Sequence, residues 1–241
     1  MKREWANSIR NFIDNRVPGI IRNASWFMYP FFLIAYRGRN IRTAMHFKSL
    51  APNWTKEEFA RYYAGIRSIS RARLTDISSG SLSLLLDRCA GSKDKLLDAG
   101  CGNGYLLQLL HRRFPLLQLY GCDLVNTGKH NNPQIPAAFS FLQADLEQLP
   151  YPDKYFDTVI CSHTLEHFAD PTLVILELKR VCRNRLFILT PCQKYFYFTL
   201  DEHLSFFPTE TSITDLVNCR QYSCRLVDGD WFYEGIVEGV S

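Results

Sequence analysis

The chain has 241 residues, 46% of them apolar, which is enough for one full α/β domain with additional elements and a sizeable core. Its eight cysteines include no Cys-x-x-Cys pair, so no metal pattern is present, and cysteines inside candidate strands (Cys122, Cys161) suit a reducing, cytoplasmic compartment. The net charge of +4 is uneven: residues 1–48 hold nine Lys/Arg against Glu4 and Asp14, a net of +7, which leaves −3 for the remainder.

Residues 1–48 are basic and aromatic. The stretch from Ala24 to Tyr36 contains Trp26-Phe-Met-Tyr-Pro-Phe-Phe-Leu-Ile-Ala-Tyr36. It falls short of the roughly 20 apolar residues that span a bilayer, and Pro30 is expected to interrupt it. No apolar core follows Arg3 and no small-residue cleavage site is evident, so the start does not read as a secretory signal. Two readings stand. One is a helical cap that packs its aromatics against a core. The other is an interfacial element, flanked by Arg16, Arg22, Arg37, Arg39 and Arg42, that contacts the inner membrane surface peripherally. The arginines are scattered among large apolar residues, which disfavours nucleic acid as a partner.

Residues 49–75 read as a further helical segment. Thr55 and Glu58 have the spacing of a capping box, and Tyr62, Tyr63, Ile66 and Ile69 follow at helical intervals among Arg61, Arg67, Arg71 and Arg73. Ser78 to Ala90 is an amphipathic helix with Leu82, Leu84, Leu85, Leu86 and Cys89. The boundary is placed between an N-terminal extension, residues 1–75, and a second domain, residues 76–241.

The second domain opens on the most informative stretch, Lys95-Leu-Leu-Asp-Ala-Gly-Cys-Gly-Asn-Gly-Tyr105. A short apolar run ends at Asp98, and Gly100, Gly102 and Gly104 alternate with other residues before a helical pattern begins. This is the order strand, glycine turn, helix N-terminus, in which the backbone can approach a ligand closely and the helix dipole faces it. A second strand, 117–123, ends at Asp123, nineteen residues after Gly104. An acid there can accept both hydroxyls of a bound ribose. Residues 126–138, with Gly128, Pro133 and Pro136, are expected to form a loop. Strands follow at 139–143, 156–161 and 185–190, with a helix at 170–182 that starts after Asp170 as N-cap with Pro171 in first position. Two extended runs within 223–239 around Asp228-Gly-Asp230 predict an antiparallel hairpin.

Asp98-Ala-Gly-Cys-Gly-Asn-Gly104 resembles the first motif of class I S-adenosylmethionine-dependent methyltransferases. Nicotinamide-binding proteins usually space their glycines differently and lack the acid two residues before the first of them. The resemblance covers about residues 92–240. It implies a Rossmann-like α/β fold with a mostly parallel seven-stranded sheet, a C-terminal antiparallel hairpin and, in this chain, an N-terminal helical extension. It implies S-adenosyl-L-methionine as cofactor, held by Asp98, Ala99, Gly100, Cys101 and Gly102, by Asp123 and Leu124, by Asp145 and Leu146 at the adenine, and by Cys161 and Ser162 at the end of the fourth strand. It also implies that the element before the sheet closes over the cofactor. Asp157, in the piece that resembles the fourth motif, is expected to serve the strand start and not the reaction.

Cys161-Ser-His163-Thr-Leu-Glu166-His167 follows the fourth strand, at the carboxyl edge where ligands bind in open α/β sheets. His163 and His167 share a face if this piece is helical. They are the candidate catalytic residues, as general bases toward a hydroxyl or amine; a structural role near the cofactor is the other reading. Certain ubiquinone-pathway O-methyltransferases resemble this segment and hold a divalent ion there with acids. Here His163 stands at the place of the first acid, so no metal ligands are assigned. Tyr195 to Phe198, in the aromatic run after the fifth strand, is read either as a pocket wall for an apolar or ring-shaped acceptor or as core packing. The Asn/Asp-Pro-Pro-aromatic motif of DNA amino-methyltransferases is absent after the fourth strand.

The sequence thus predicts an S-adenosylmethionine-dependent methyltransferase acting on a small-molecule, sugar or lipid-linked acceptor, with O-methylation favoured. The competing readings are a non-catalytic binding or assembly module of the same fold and, third, a nicotinamide oxidoreductase. The intact set Asp98, Gly100, Gly102, Asp123 and Asp145 weighs against the module.

Overall fold

The computed structural model describes residues 16–65, 74–90, 92, 94–125 and 139–237. The loop expected over 126–138 lies outside them, as do Ile66, Arg67, Ile69, Arg71 and Arg73 and the last two residues of the expected hairpin. The chain divides into two compact units, Met1–Arg73 with Lys194–Leu204, and Leu74–Gln193 with Ser205–Ser241. The first unit therefore takes in a later segment that the sequence reading assigns to the sheet domain.

In the first unit, short helices α1 (Gly19–Arg22), α2 (Ser25–Ala35), α3 (Ile41–Met45) and α4 (Phe47–Leu50) lead to α5 (Lys56–Gly65). Helix α2 runs through Pro30 and is not interrupted by it. Pro30 forfeits one amide donor, but Met28 and Phe32 on the adjoining turns are both fully buried, and tertiary packing outweighs the local penalty. The helix ends in a paired reverse turn: the Gly38 amide donates to the Leu33 carbonyl at 2.9 Å and the Arg37 amide to the Ile34 carbonyl at 3.2 Å. Arg37 takes the left-handed conformation that such an ending requires, with φ of 52°.

Met28, Phe32 and Tyr36 recur every fourth residue and form one buried stripe, which packs with Ala44, Met45 and Phe198. Phe32 stacks on Tyr36 at 5.7 Å between ring centres and meets Phe198 edge-on at 6.4 Å. Arg22 is 2% exposed. Its guanidinium donates to Met28 Sδ and to the Phe198 carbonyl and lies 4.8 Å over the Phe196 ring. Lys48 donates to Thr199 Oγ1 at 2.6 Å, and the Tyr197 amide donates to Asn23 Oδ1 at 2.9 Å. These bonds tie Lys194–Leu204 to the helices. Within the aromatic run, Phe198 is core and Tyr195 is exposed. Thr55 and Glu58 form the expected reciprocal cap of α5, at 2.8 and 3.3 Å.

In the second unit, β1 (Lys95–Ala99), β2 (Gln118–Asp123), β3 (Ser140–Gln143), β4 (Phe156–Ser162) and β5 (Cys182–Pro191) are parallel. Strands β6 (Gln221–Val227) and β7 (Asp230–Ile236) form a hairpin whose second strand pairs antiparallel with β5. The sheet order is β3-β2-β1-β4-β5-β7-β6, the mostly parallel seven-stranded arrangement that the sequence predicts. Asp228 and Gly229, at φ of 48° and 90°, make the two-residue hairpin turn. Helices α6 (Ser79–Cys89), α7 (Tyr105–Arg113), α8 (Thr172–Val181) and α9 (Glu210–Val217) flank the sheet, whose two faces carry separate buried clusters. Helix α8 begins one residue later than expected: Pro171 occupies the cap position and Asp170 Oδ1 accepts the Thr172 amide at 3.0 Å. Helix α9, for which the sequence reading places no element, is capped by Thr209 and Ser212. Because β2 and β4 flank β1, the chain leaves β1 and β4 in opposite directions, and their carboxyl ends border the crevice where α/β sheets bind ligands.

The helical unit's core predicts its own weak point. Phe32→Ala is expected to cost about 3–5 kcal/mol, read as a shift of the urea midpoint of the full chain. The exposed Ile20→Ala is expected to change it by less than about 0.5 kcal/mol.

Candidate cofactor site

The turn after β1 is built on backbone bonds to the neighbouring strand. The amides of Gly100 and Cys101 both donate to the Cys122 carbonyl, at 2.8 and 3.0 Å, and the Gly104 amide returns to the Cys101 carbonyl at 2.8 Å. Gly100, Gly102 and Gly104 all have positive φ, 80°, 54° and 75°. At Gly100 a side chain would also collide with Thr164, which packs directly against it. At Gly102 nothing lies within 4 Å of the place a Cβ would occupy, so the turn presents bare backbone to open space. Asn103 Oδ1 accepts the Tyr105 amide at 2.9 Å and closes the first turn of α7.

Two carboxylates face this turn from the ends of β1 and β2. Asp123 Oδ2 accepts the Gly102 amide at 2.9 Å, and its Oδ1 accepts the Val125 amide at 3.0 Å. Each oxygen keeps a further lone pair, enough to accept two hydroxyls. Asp98 is 2% exposed, and its Oδ1 is buried with no hydrogen-bond partner among the described residues. Burial, and then the charge of Asp123, push its carboxyl up to about 7.

The other residues expected at the cofactor divide into two kinds. Ala99, Cys101, Leu146 and Cys161 are buried apolar side chains. Burial raises the thiols of Cys101 and Cys161, so both stay neutral and pack as small core groups. Leu124, Asp145 and Ser162 are partly exposed. Asp145 Oδ1 accepts the Glu147 amide at 3.0 Å, which shapes the turn after β3.

The segment after β4 differs from the helical picture. Only Leu165–His167 makes a short 3-10 turn, and His163 precedes it in the left-handed region at φ of 48°. The two histidines therefore do not share a helical face. The His163 amide donates to the Leu189 carbonyl at 2.9 Å. Its ring lies between two acids: Nδ1 is 3.4 Å from Glu166 Oε1, and Nε2 is 3.3 Å from Asp230 Oδ1. Burial alone would lower its pKa; the two carboxylates more than reverse this and raise it to about 10. Asp230 is lowered correspondingly, burial being outweighed by His163 and by the Ser78 amide at 3.0 Å. With both ring nitrogens protonated, His163 has no lone pair with which to accept a proton. His167 is partly exposed, with its amide bonded to the Thr164 carbonyl at 3.1 Å.

Sequence reasoning did not find Thr164 beneath Gly100 or Asp230 beside His163. Asp230 reads only as a hairpin-turn residue, and no short-range spacing links it to position 163.

A histidine held charged in the fold stabilises it below the ordinary imidazole value of 6.5 and loses that contribution as pH rises through its folded value of about 10. The melting temperature is therefore expected to fall between pH 7 and 10, and His163→Gln to melt lower with that decline flattened, as read by circular dichroism across pH.

The arrangement can be tested against the cofactor it resembles a site for. A buried carboxylate oxygen without a donor costs about 1–3 kcal/mol, and a cationic group in the crevice would complete it. S-adenosylmethionine carries an ammonium for such an oxygen and a ribose diol for Asp123, so the residues present fit it. Residues 97–188 match the family model described as a methyltransferase domain. The demethylmenaquinone methyltransferase of Deinococcus radiodurans is 30% identical over 120 residues, 44% of this chain and 50% of that protein. The malonyl-[acyl-carrier protein] O-methyltransferase of Serratia marcescens is 33% identical over 90 residues, 37% of this chain and 34% of that protein. The chain thus spans half or less of the length of these relatives. A solved structure of a SAM-dependent methyltransferase from Aquifex aeolicus has the same fold, with a TM-score of 0.54 at 18% identity over 77% of this chain and 100% of that one. Acid and glycine turn near the end of β1, acid at the end of β2, and a matched segment running from β1 into β5 agree: residues 97–188 are similar to a methyltransferase domain, on a fold that this chain shares with S-adenosylmethionine-dependent methyltransferases.

Proposed function

We propose that this chain transfers the methyl group of S-adenosylmethionine to a small-molecule acceptor, with oxygen as the favoured receiving atom and a sugar or lipid-linked compound as the acceptor class. The observation that carries the reading is the buried Asp98 oxygen that no donor among the described residues reaches, together with the open Gly102 turn. In this reading Asp98 accepts from the ammonium of the amino-acid end. Asp123 and Leu124 hold the ribose, and Asp145 and Leu146 the adenine. The backbone of Gly100 to Gly102 lets the cofactor approach, while Ala99, Cys101, Cys161 and Ser162 shape the floor.

When bound, S-adenosylmethionine supplies a methyl group that its sulfonium already makes electrophilic. The protein's part is then to align the acceptor and exclude water, worth about 7–11 kcal/mol of barrier. His163, charged between Glu166 and Asp230, is a positioning residue that fastens the end of β4 to the start of β7. His167 remains the candidate for taking a hydroxyl proton. The lipid-like acceptor class draws support from the name of one relative, which concerns demethylmenaquinone, and oxygen as the receiving atom from that of another, a malonyl-[acyl-carrier protein] O-methyltransferase. Cys122 and Cys161, buried within strands as small core groups, suit a reducing, cytoplasmic compartment.

Calorimetric titration of S-adenosylmethionine and S-adenosylhomocysteine into the full chain tests this reading. Micromolar binding of both is expected, and Asp123→Ala should weaken it at least about tenfold, a loss of roughly 1.4 kcal/mol or more. Folded protein that binds neither would move the non-catalytic module to first place.

A further inference from the structure

Helix α2 carries no charged residue among its eleven, and among the described residues only its Met28 and Phe32 face is fully buried. At 100° per residue, Trp26, Pro30 and Leu33 lie within about 60° of one another, on the side away from Met28 and Phe32. Trp26 is 72% exposed, Tyr29 49%, Leu33 43% and Ile34 61%, and Ile20, just before the helix, is 91% exposed. Seven of the fifteen large exposed hydrophobic side chains among the described residues fall between Ile20 and Leu50. Isolated exposed hydrophobics need no explanation, but a clustered set on one helix does.

The charge around this face has one sign. From Asn15 to Lys56 the sequence contains no Asp or Glu, against seven Lys and Arg. Arg16, Arg37, Arg39 and Arg42 are exposed. Arg37 and Arg39 stand in the turn that ends α2, and Arg42 lies in the first turn of α3. A protein partner that covered the apolar face would also have to supply acids around its edge. An anionic bilayer supplies both terms, headgroup charge for the arginines and an acyl boundary for Trp26, Leu33 and Ile34. Among the described residues no helix is long and apolar enough to cross a membrane, so the contact would lie in the plane of the interface.

We infer that α2 and its arginine-bearing flanks dock the chain on the surface of a bilayer containing anionic lipid. This partner is independent of whether methyl transfer occurs.

The test uses the full chain and two kinds of vesicle, phosphatidylcholine alone and an equal mixture with phosphatidylglycerol. Co-sedimentation with the anionic vesicles only is expected, together with a blue shift of tryptophan emission that Trp26→Phe largely removes. Leu33→Glu/Ile34→Glu and Arg39→Glu/Arg42→Glu should each weaken vesicle binding at least about tenfold, while melting curves and S-adenosylmethionine affinity stay at wild-type values. Four results would overturn the inference: no vesicle binding, equal binding to neutral vesicles, variants that bind like wild type, or a wild-type dimer that Leu33→Glu/Ile34→Glu converts to monomer without vesicle binding. The last would assign the face to a second copy of the chain. Because vesicle binding is read without cofactor, its failure is distinguishable from failure of the methyl-transfer reading.

Discussion

Asp98, next to last in β1, lies in the parallel part of the sheet, with neighbours on both sides and one oxygen that no donor among the described residues reaches. Leaving a buried acceptor unpaired destabilises a fold, and a second carboxylate close by adds to the cost. The rest of the turn is arranged around these two acids. Asp123 is fixed by two backbone amides, Gly102 turns a bare backbone to open space, and Thr164 fills the one position where a side chain at Gly100 would stand. The site is under-satisfied where a cationic ligand would complete it, and fully bonded in the backbone that frames it.

The same division of labour appears on β4. His163 sits in a strained backbone conformation, and the strain is offset by its amide bond to β5 and by an acid on each side of its ring. Asp230, at the start of β7, is held in turn by the Ser78 amide at the head of α6. A chain of charge and hydrogen bonding thus joins three parts of the sheet unit that are distant in sequence. It ties the end of β4 to the start of β7 and to the head of α6.

What the sequence makes legible here is local. The spacing of Gly100, Gly102 and Gly104 requires positive φ values and marks the turn; the apolar runs mark strands to within a few residues; Thr55 and Glu58 announce their own cap. What it hides depends on tertiary contact. Pro30 should break a helix, and only the burial of Met28 and Phe32 explains why it does not. The run Tyr195 to Phe198 reads equally as pocket wall or as core, and its tie to Arg22, more than 170 residues earlier, is what decides for Phe198. The imidazole of His163 looks like a base until Glu166 and Asp230 are seen on either side of it.

The central claim is that Asp98 waits for a cation, and proton linkage tests it most directly. Titration of S-adenosylmethionine into the full chain at pH 7, in buffers of different ionisation enthalpy, counts the protons released on binding. With the free carboxyl at about 7, release of about half a proton is expected, and Asp98→Asn should abolish that release. Tight binding with no proton release, or the same release from Asp98→Asn, would contradict the account.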